Sequence, residues 1–252
     1  MARLALVALT LALAGCVDAL AALEDCSVEE PRQASLDAAG ATRLAIDAGA
    51  GRLEVRGVPG AATVEVRGTA CAPDPERLAT VELRTERRGD TLYVETVFAE
   101  DVPGERRLSL SIDAPASLAV TVEDGSGETI VRGVAAVSID DGSGAVEVRE
   151  IAGDVEVSDG SGSVTLTGVG GGVTVDDGSG DLEIADVGGD VVVDDDGSGG
   201  IEIAGVGGSV TIGEDGSGGI SARDVRGDFT LRRDGSGGVE VDADGRVSLP
   251  ED

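Results

Sequence analysis

The sequence has no tryptophan, histidine, lysine or asparagine, and its only aromatic residues are Phe98, Phe229 and Tyr93. Without bulky rings a core must be assembled from Val, Ile, Leu and Ala, which suits β-structure better than a globular core of large side chains. Positive charge is scarce as well. All 19 basic residues are Arg, against 49 acidic residues, for a net charge of -30 over 252 residues. Such a balance cannot make a phosphate-neutralising face, so no nucleic acid is expected as a partner. An anionic membrane surface is excluded as an electrostatic partner for the same reason.

Long hydrophobic runs are also missing, apart from the start. Residues 1–15, MARLALVALTLALAG, carry one early Arg3 and an apolar stretch too short to span a bilayer, and end in small residues before Cys16. This reads as a secretory signal. Leu13, Ala14, Gly15 and Cys16 resemble the bacterial lipobox. That resemblance implies cleavage before Cys16 and lipidation of its sulfur, the alternative being an ordinary signal with an incidental cysteine. Val17, not Asp, follows, which in lipoproteins of Gram-negative bacteria implies sorting to the outer membrane. Acyl chains contribute about 0.8 kcal/mol per buried CH₂, so two or three make a firm membrane anchor. Cys26 and Cys71 then remain as one pair in an oxidising compartment, where a disulfide is expected and two free thiols are the alternative.

Residues 16–40 mix Ala with acidic residues without a sustained period and read as a tether. From residue 41 the period becomes two. TRLAIDA, GRLEVRG, ATVEVRG, DTLYVETVF and RRLSLSIDAP alternate apolar with polar residues between Gly, Pro and Asp, giving irregularly spaced strands over 41–122 that form an N-terminal part or cap.

Over 123–250 a repeat takes hold. EDGSG ends at Gly127, and copies begin at Asp140, Asp159, Asp177, Asp196, Asp215 and Asp234, with motif aspartates 17–19 residues apart. Counted from the last Gly of each GSG, apolar residues recur at offsets 2, 4, 7, 11 and 13, as in Val146, Val148, Ile151, Val155 and Val157. Two short strands per repeat, separated by corners, stack as the rungs of an all-β, right-handed parallel β-helix (a β-solenoid). One corner is DGSG; the other is the stretch around ADVGGD at Ala185–Asp190. Glycine supplies the corner conformations, and the Asp before Gly-Ser-Gly can accept hydrogen bonds from the corner's own N–H groups.

The passages LSLSIDAPASLAVTVEDGSG and GSGDLEIADVGGDVVVDDDGSGG resemble a bacterial envelope family of β-strand-repeat proteins labelled "putative adhesin", a domain of unknown function. The resemblance spans about residues 41–250. It implies a parallel β-helix and an envelope location, and brings no catalytic residues with it.

Function is less legible. A polysaccharide-active β-helix enzyme would need Lys, Arg, His or aromatic platforms among its carboxylates, and between 123 and 222 there are 22 Asp and Glu against Arg132 and Arg149 alone. A calcium-stacked solenoid built on G-G-x-G-x-D repeats fails at Gly178–Leu182, where Leu stands at the position of the calcium-binding Asp. Weak Ca²⁺ binding along Asp140, Asp141, Asp159, Asp176, Asp177, Asp195 and Asp196 is the alternative to a solvated, corner-capping face, and no other cofactor is expected. The reading that results is a non-enzymatic, lipid-anchored envelope protein, an acidic scaffold or adhesin-like surface. Its expected partners are the membrane through Cys16, an envelope protein, and further copies through the solenoid ends.

Overall fold

The computed structural model describes residues 26–99 and 101–250, so the signal segment 1–15 and Cys16 lie outside the described residues. The first part of the chain forms β1 (Val28–Asp37), β2 (Arg43–Ala50), β3 (Leu53–Val58), β4 (Thr63–Ala72), a single turn α1 (Pro75–Leu78), β5 (Val81–Arg88), β6 (Thr91–Phe98) and β7 (Arg107–Pro115). A long β8 (Ala119–Arg132) leads into β9 (Ala136–Asp141), β10 (Gly144–Ile151), β11 (Val155–Asp159), β12 (Val164–Val169) and β13 (Val173–Asp177). There follow β14 (Leu182–Val187), β15 (Val191–Asp196), β16 (Ile201–Val206), β17 (Val210–Asp215), β18 (Ile220–Val225), β19 (Phe229–Asp234), β20 (Val239–Ala243) and β21 (Val247–Ser248).

From β8 onward the strands stack as a parallel β-solenoid of about seven turns. One sheet, A, runs β8-β10-β12-β14-β16-β18-β20, and the other, B, runs β8-β9-β11-β13-β15-β17-β19-β21, all parallel. β8 belongs to both sheets because it turns the corner without breaking, Ala119–Asp124 lying in sheet B and Gly127–Arg132 in sheet A. The apolar residues at offsets 2, 4, 7, 11 and 13 are buried on every rung from Val146 to Leu231, so the two sheets close over one continuous Val, Ile and Leu core. The lengthening of the repeat from 18 to 19 residues has a local cause. Register slips by one between Val175 and Asp176 as β13 pairs with β15, which leaves Asp194 as an extra, exposed residue.

The N-terminal strands extend this stack. β2 and β3 form a rung that lies parallel to β8 on one side and to β6 and β7 on the other. The rung earliest in sequence is thus inserted between the rung at 91–115 and the rung at 119–132. Antiparallel strands finish this end, β4 and then β1 beside β7 in sheet A, and β5 beside β6 in sheet B. The stretch read as a tether therefore holds a ten-residue strand, β1. Its weak alternation and Pro31 are what an edge strand tolerates, since one of its sides needs no ladder hydrogen bonds. Cys26, just before it, is disulfide-bonded to Cys71 near the end of β4, with Cα atoms 5.4 Å apart.

Candidate functional site

The repeated corner carries the densest chemistry in the molecule. On the sheet B strands side chains alternate, Val173 in, Thr174 out, Val175 in, Asp176 out. One more step turns Asp177 inward. The same holds for Asp141, Asp159, Asp196 and Asp215, each of which is at most 3% exposed, and for Asp124 at 7%. Strand pairing sets them in file, Asp124 beside Asp141, then Asp159, Asp177, Asp196, Asp215 and finally Asp234. At the usual strand spacing their backbones are about 4.8 Å apart.

The acidic residues singled out in the sequence therefore do not form one column. Asp140, Asp176 and Asp195 face solvent, whereas Asp141, Asp159, Asp177 and Asp196 lie inside the corner. This corrects the expectation of a single solvated face, for the physical reason that neighbouring residues on a strand point to opposite faces, while the expected capping of corner N–H groups is kept by the inner Asp159 and Asp177. Among the described residues no group of three or more Asp, Glu, His or Cys side chains is arranged to hold a metal ion.

The corner N–H groups serve the inner column only in part. The Ser161 N–H donates to Asp159 and the Ser179 N–H to Asp177, each at 3.2 Å. At the first rung the Thr129 hydroxyl donates to Asp124 at 3.0 Å. On later rungs the position of Thr129 is taken by Val146, Val164, Leu182, Ile201 and Ile220, which have nothing to donate. Both carboxyl oxygens of Asp141, Asp196 and Asp215 are buried without a well-formed hydrogen bond, the nearby N–H groups of Ser143 and Gly142 and of Ser198 favouring the charged forms of Asp141 and Asp196 only weakly. Burial first, and then the charges of Asp124 and Asp159, push the Asp141 carboxyl up to about 6. Burial and then Asp159 push Asp177 up to about 6. Burial and then Asp177 and Asp215 push Asp196 up to about 7. Asp124, Asp159 and Asp215 are also raised, chiefly by burial.

The glycines explain why the corner repeats so strictly. Gly180, the last of its GSG, has φ +149°, and a Cβ there would overlap the Gly162 carbonyl oxygen of the rung below. At the opposite corner, the left-handed position is filled by Glu150, Gly168, Asp186, Gly205 and Asp224 in turn. Acidic side chains alternate there with glycines, and Gly168, Asp186, Gly205 and Asp224 line an open groove of about 830 Å³ with Arg226, Asp242 and Asp244. Rungs are also tied together by side chains, since Asp154, Asp190 and Asp228 accept from the N–H groups of Gly172, Ser209 and Arg246 one rung on.

No family model matches the chain, and no curated protein does. Solved structures similar to it include the following three. One is described as a "putative cell adhesion protein" from Clostridium sporogenes, at 12% identity and TM-score 0.33, covering 89% of this chain and all of that one. The others are described as a "putative adhesin", from Parabacteroides distasonis at 10% identity and TM-score 0.39 and from Parabacteroides merdae at 12% and 0.36. They cover 88% and 89% of this chain, and 97% of each of those chains. The fold rests on the strand pairing above, and likenesses of this size add no argument about function.

Proposed function

We infer that the chain is a non-enzymatic, lipid-anchored protein of the bacterial cell envelope whose solenoid serves as a scaffold or interaction surface for another protein. The observation that carries this reading is the use to which the repeat is put. The apolar residues, the corner glycines and the inner aspartates that recur on every rung are committed to the core or to rung contacts, and what varies is the outer face. Residues that recur for structural reasons leave no rung distinguished as a reaction centre. The outer face between 150 and 222 carries acidic but no basic side chains. That charge supports a protein partner with a basic surface.

The lipobox-like Leu13–Cys16 supports an anchor through Cys16 and an outer-membrane location. Membrane fractionation tests this. The wild-type protein should sediment with membranes and Cys16→Ser should appear in the soluble fraction; a variant that stays with the membrane would remove the anchor from the account. Crosslinking in the native envelope should then yield a protein adduct with the anchored form. Enrichment of a glycan, or turnover of one, would overturn the scaffold reading.

A further inference from the structure

We propose that the stacked aspartates inside the DGSG corner, Asp124 to Asp215, form a proton-holding ladder in which neighbouring carboxyls share protons, so that the solenoid tightens in acid and loosens in alkali. The geometry requires something of this kind. Successive carboxyls are in register on adjacent rungs, and neither oxygen of Asp141, Asp196 or Asp215 makes a well-formed hydrogen bond. Asp196 pairs in register with Asp215, and Asp215 with Asp234, so each carboxyl faces the next at the spacing of adjacent strands. Two carboxylates at such a distance repel. One proton between them converts the contact into a charge-assisted hydrogen bond.

The surroundings offer little other relief: only corner N–H groups, of Ser143 and Gly142 toward Asp141, Ser179 toward Asp177 and Ser198 toward Asp196, favour the charged carboxylates, and burial outweighs them. The charged groups acting on Asp141, Asp177, Asp196 and Asp215 are all carboxylates: Asp124, Asp159, Asp176, Asp177, Asp215 and Asp234. Across the corner, the sheet A strands contribute Thr129 on the first rung and apolar residues on the next five. On the ladder's own strands Glu123, Asp140, Asp176, Asp195 and Glu214 point outward, and Arg233 pairs with Glu214 rather than with the ladder. A row of neutral amides would stack without titrating, yet the chain contains no Asn. Aspartate at every rung makes the row sensitive to pH.

The direction follows from linkage. Unfolded aspartate titrates near 3.9, whereas Asp141, Asp177 and Asp196 titrate near 6 to 7 when folded. The contribution to stability is complete below about pH 4 and is lost as pH rises through 6 to 7, and at pH 6 the folded chain holds about two more protons than the unfolded one.

Infrared spectroscopy of the full-length protein at pH 6 reads protonated carboxyls through their carbonyl stretch. The band should be present in the wild type, largely lost in Asp141→Asn/Asp177→Asn/Asp196→Asn, and retained in Asp140→Asn/Asp176→Asn/Asp195→Asn, which removes the same number of carboxyls from the outer face. Unfolding between pH 5 and 8 should show stability falling in the wild type and the outer variant, and a flatter profile in the ladder variant. Absence of the band from the wild type, or equal pH slopes for the two variants, overturns the proposal. The wild-type band decides the matter even if the ladder variant does not fold. Loss of the band on adding millimolar Ca²⁺, with saturable heat of binding, would mark the column as a cation site and likewise overturn it.

Discussion

At Gly180 the chain meets its tightest constraint. The residue combines φ +149° with a carbonyl oxygen from the rung below where a side chain would begin. Gly180→Ala should destabilise the protein by about 1–3 kcal/mol through backbone conformation alone, with overlap adding to it. Gly238, in the last such corner, has no heavy atom within 4 Å of a Cβ position, and Gly238→Ala should fall within about 0.5 kcal/mol of wild type. Chemical denaturation of the two variants checks the contrast; equal stabilities would mean that the corners do not stack as described. The inner aspartates teach a related lesson. The inward set Val146 to Leu231 was legible because apolar residues advertise their face. Asp159 continues the same alternation, Val155, Val157, Asp159, so the signal for its burial was present as well. It is easily missed because a carboxylate is assigned to solvent on chemical grounds, and only the stacking of neighbours shows where the corner leads it.

Among the elements, β2 and β3 show where sequence order stops being a guide. Their alternation marks them as strands, but nothing local says that this rung is clasped between β8 and the later β6–β7 pair, because that arrangement depends on contacts far apart along the chain. β1 was the harder case, since only Val28, Ala34 and Leu36 pack against the core, each partly. It is held by its ladder to β4 and by the Cys26–Cys71 disulfide. Closing that loop removes about 4 kcal/mol of unfolded-state entropy in the chain-entropy model. Cys26→Ser/Cys71→Ser should therefore lose stability of that order, and hydrogen exchange should quicken along β1 and β4 while β14 to β17 stay protected. Uniform protection throughout would show that the disulfide is not what secures the edge.

For the whole molecule, the strict repeat made the solenoid legible, whereas the partner is not encoded in it, because every recurring residue is spent on stacking and the outer face varies without a motif. Both ends are managed differently. Charged, Arg- and Glu-rich β5 borders sheet B at one end, as edge strands commonly do. At the other, Val247 and Leu249 are exposed beside the short β21. The account stands or falls on parallel, in-register stacking through the middle of the rod. Ser138, Glu156, Thr174, Val192, Thr211 and Thr230 pair in succession on the outer face of sheet B, so Ser138 and Thr230 are five rungs apart. Spin labels at Ser138→Cys and Thr230→Cys, in the Cys16→Ser background with the Cys26–Cys71 bond intact, should give one narrow distance near 24 Å by pulsed electron paramagnetic resonance, from about 4.8 Å per rung. A broad distribution, or a maximum beyond about 35 Å, which five rungs at that spacing cannot span, would contradict the stacked solenoid.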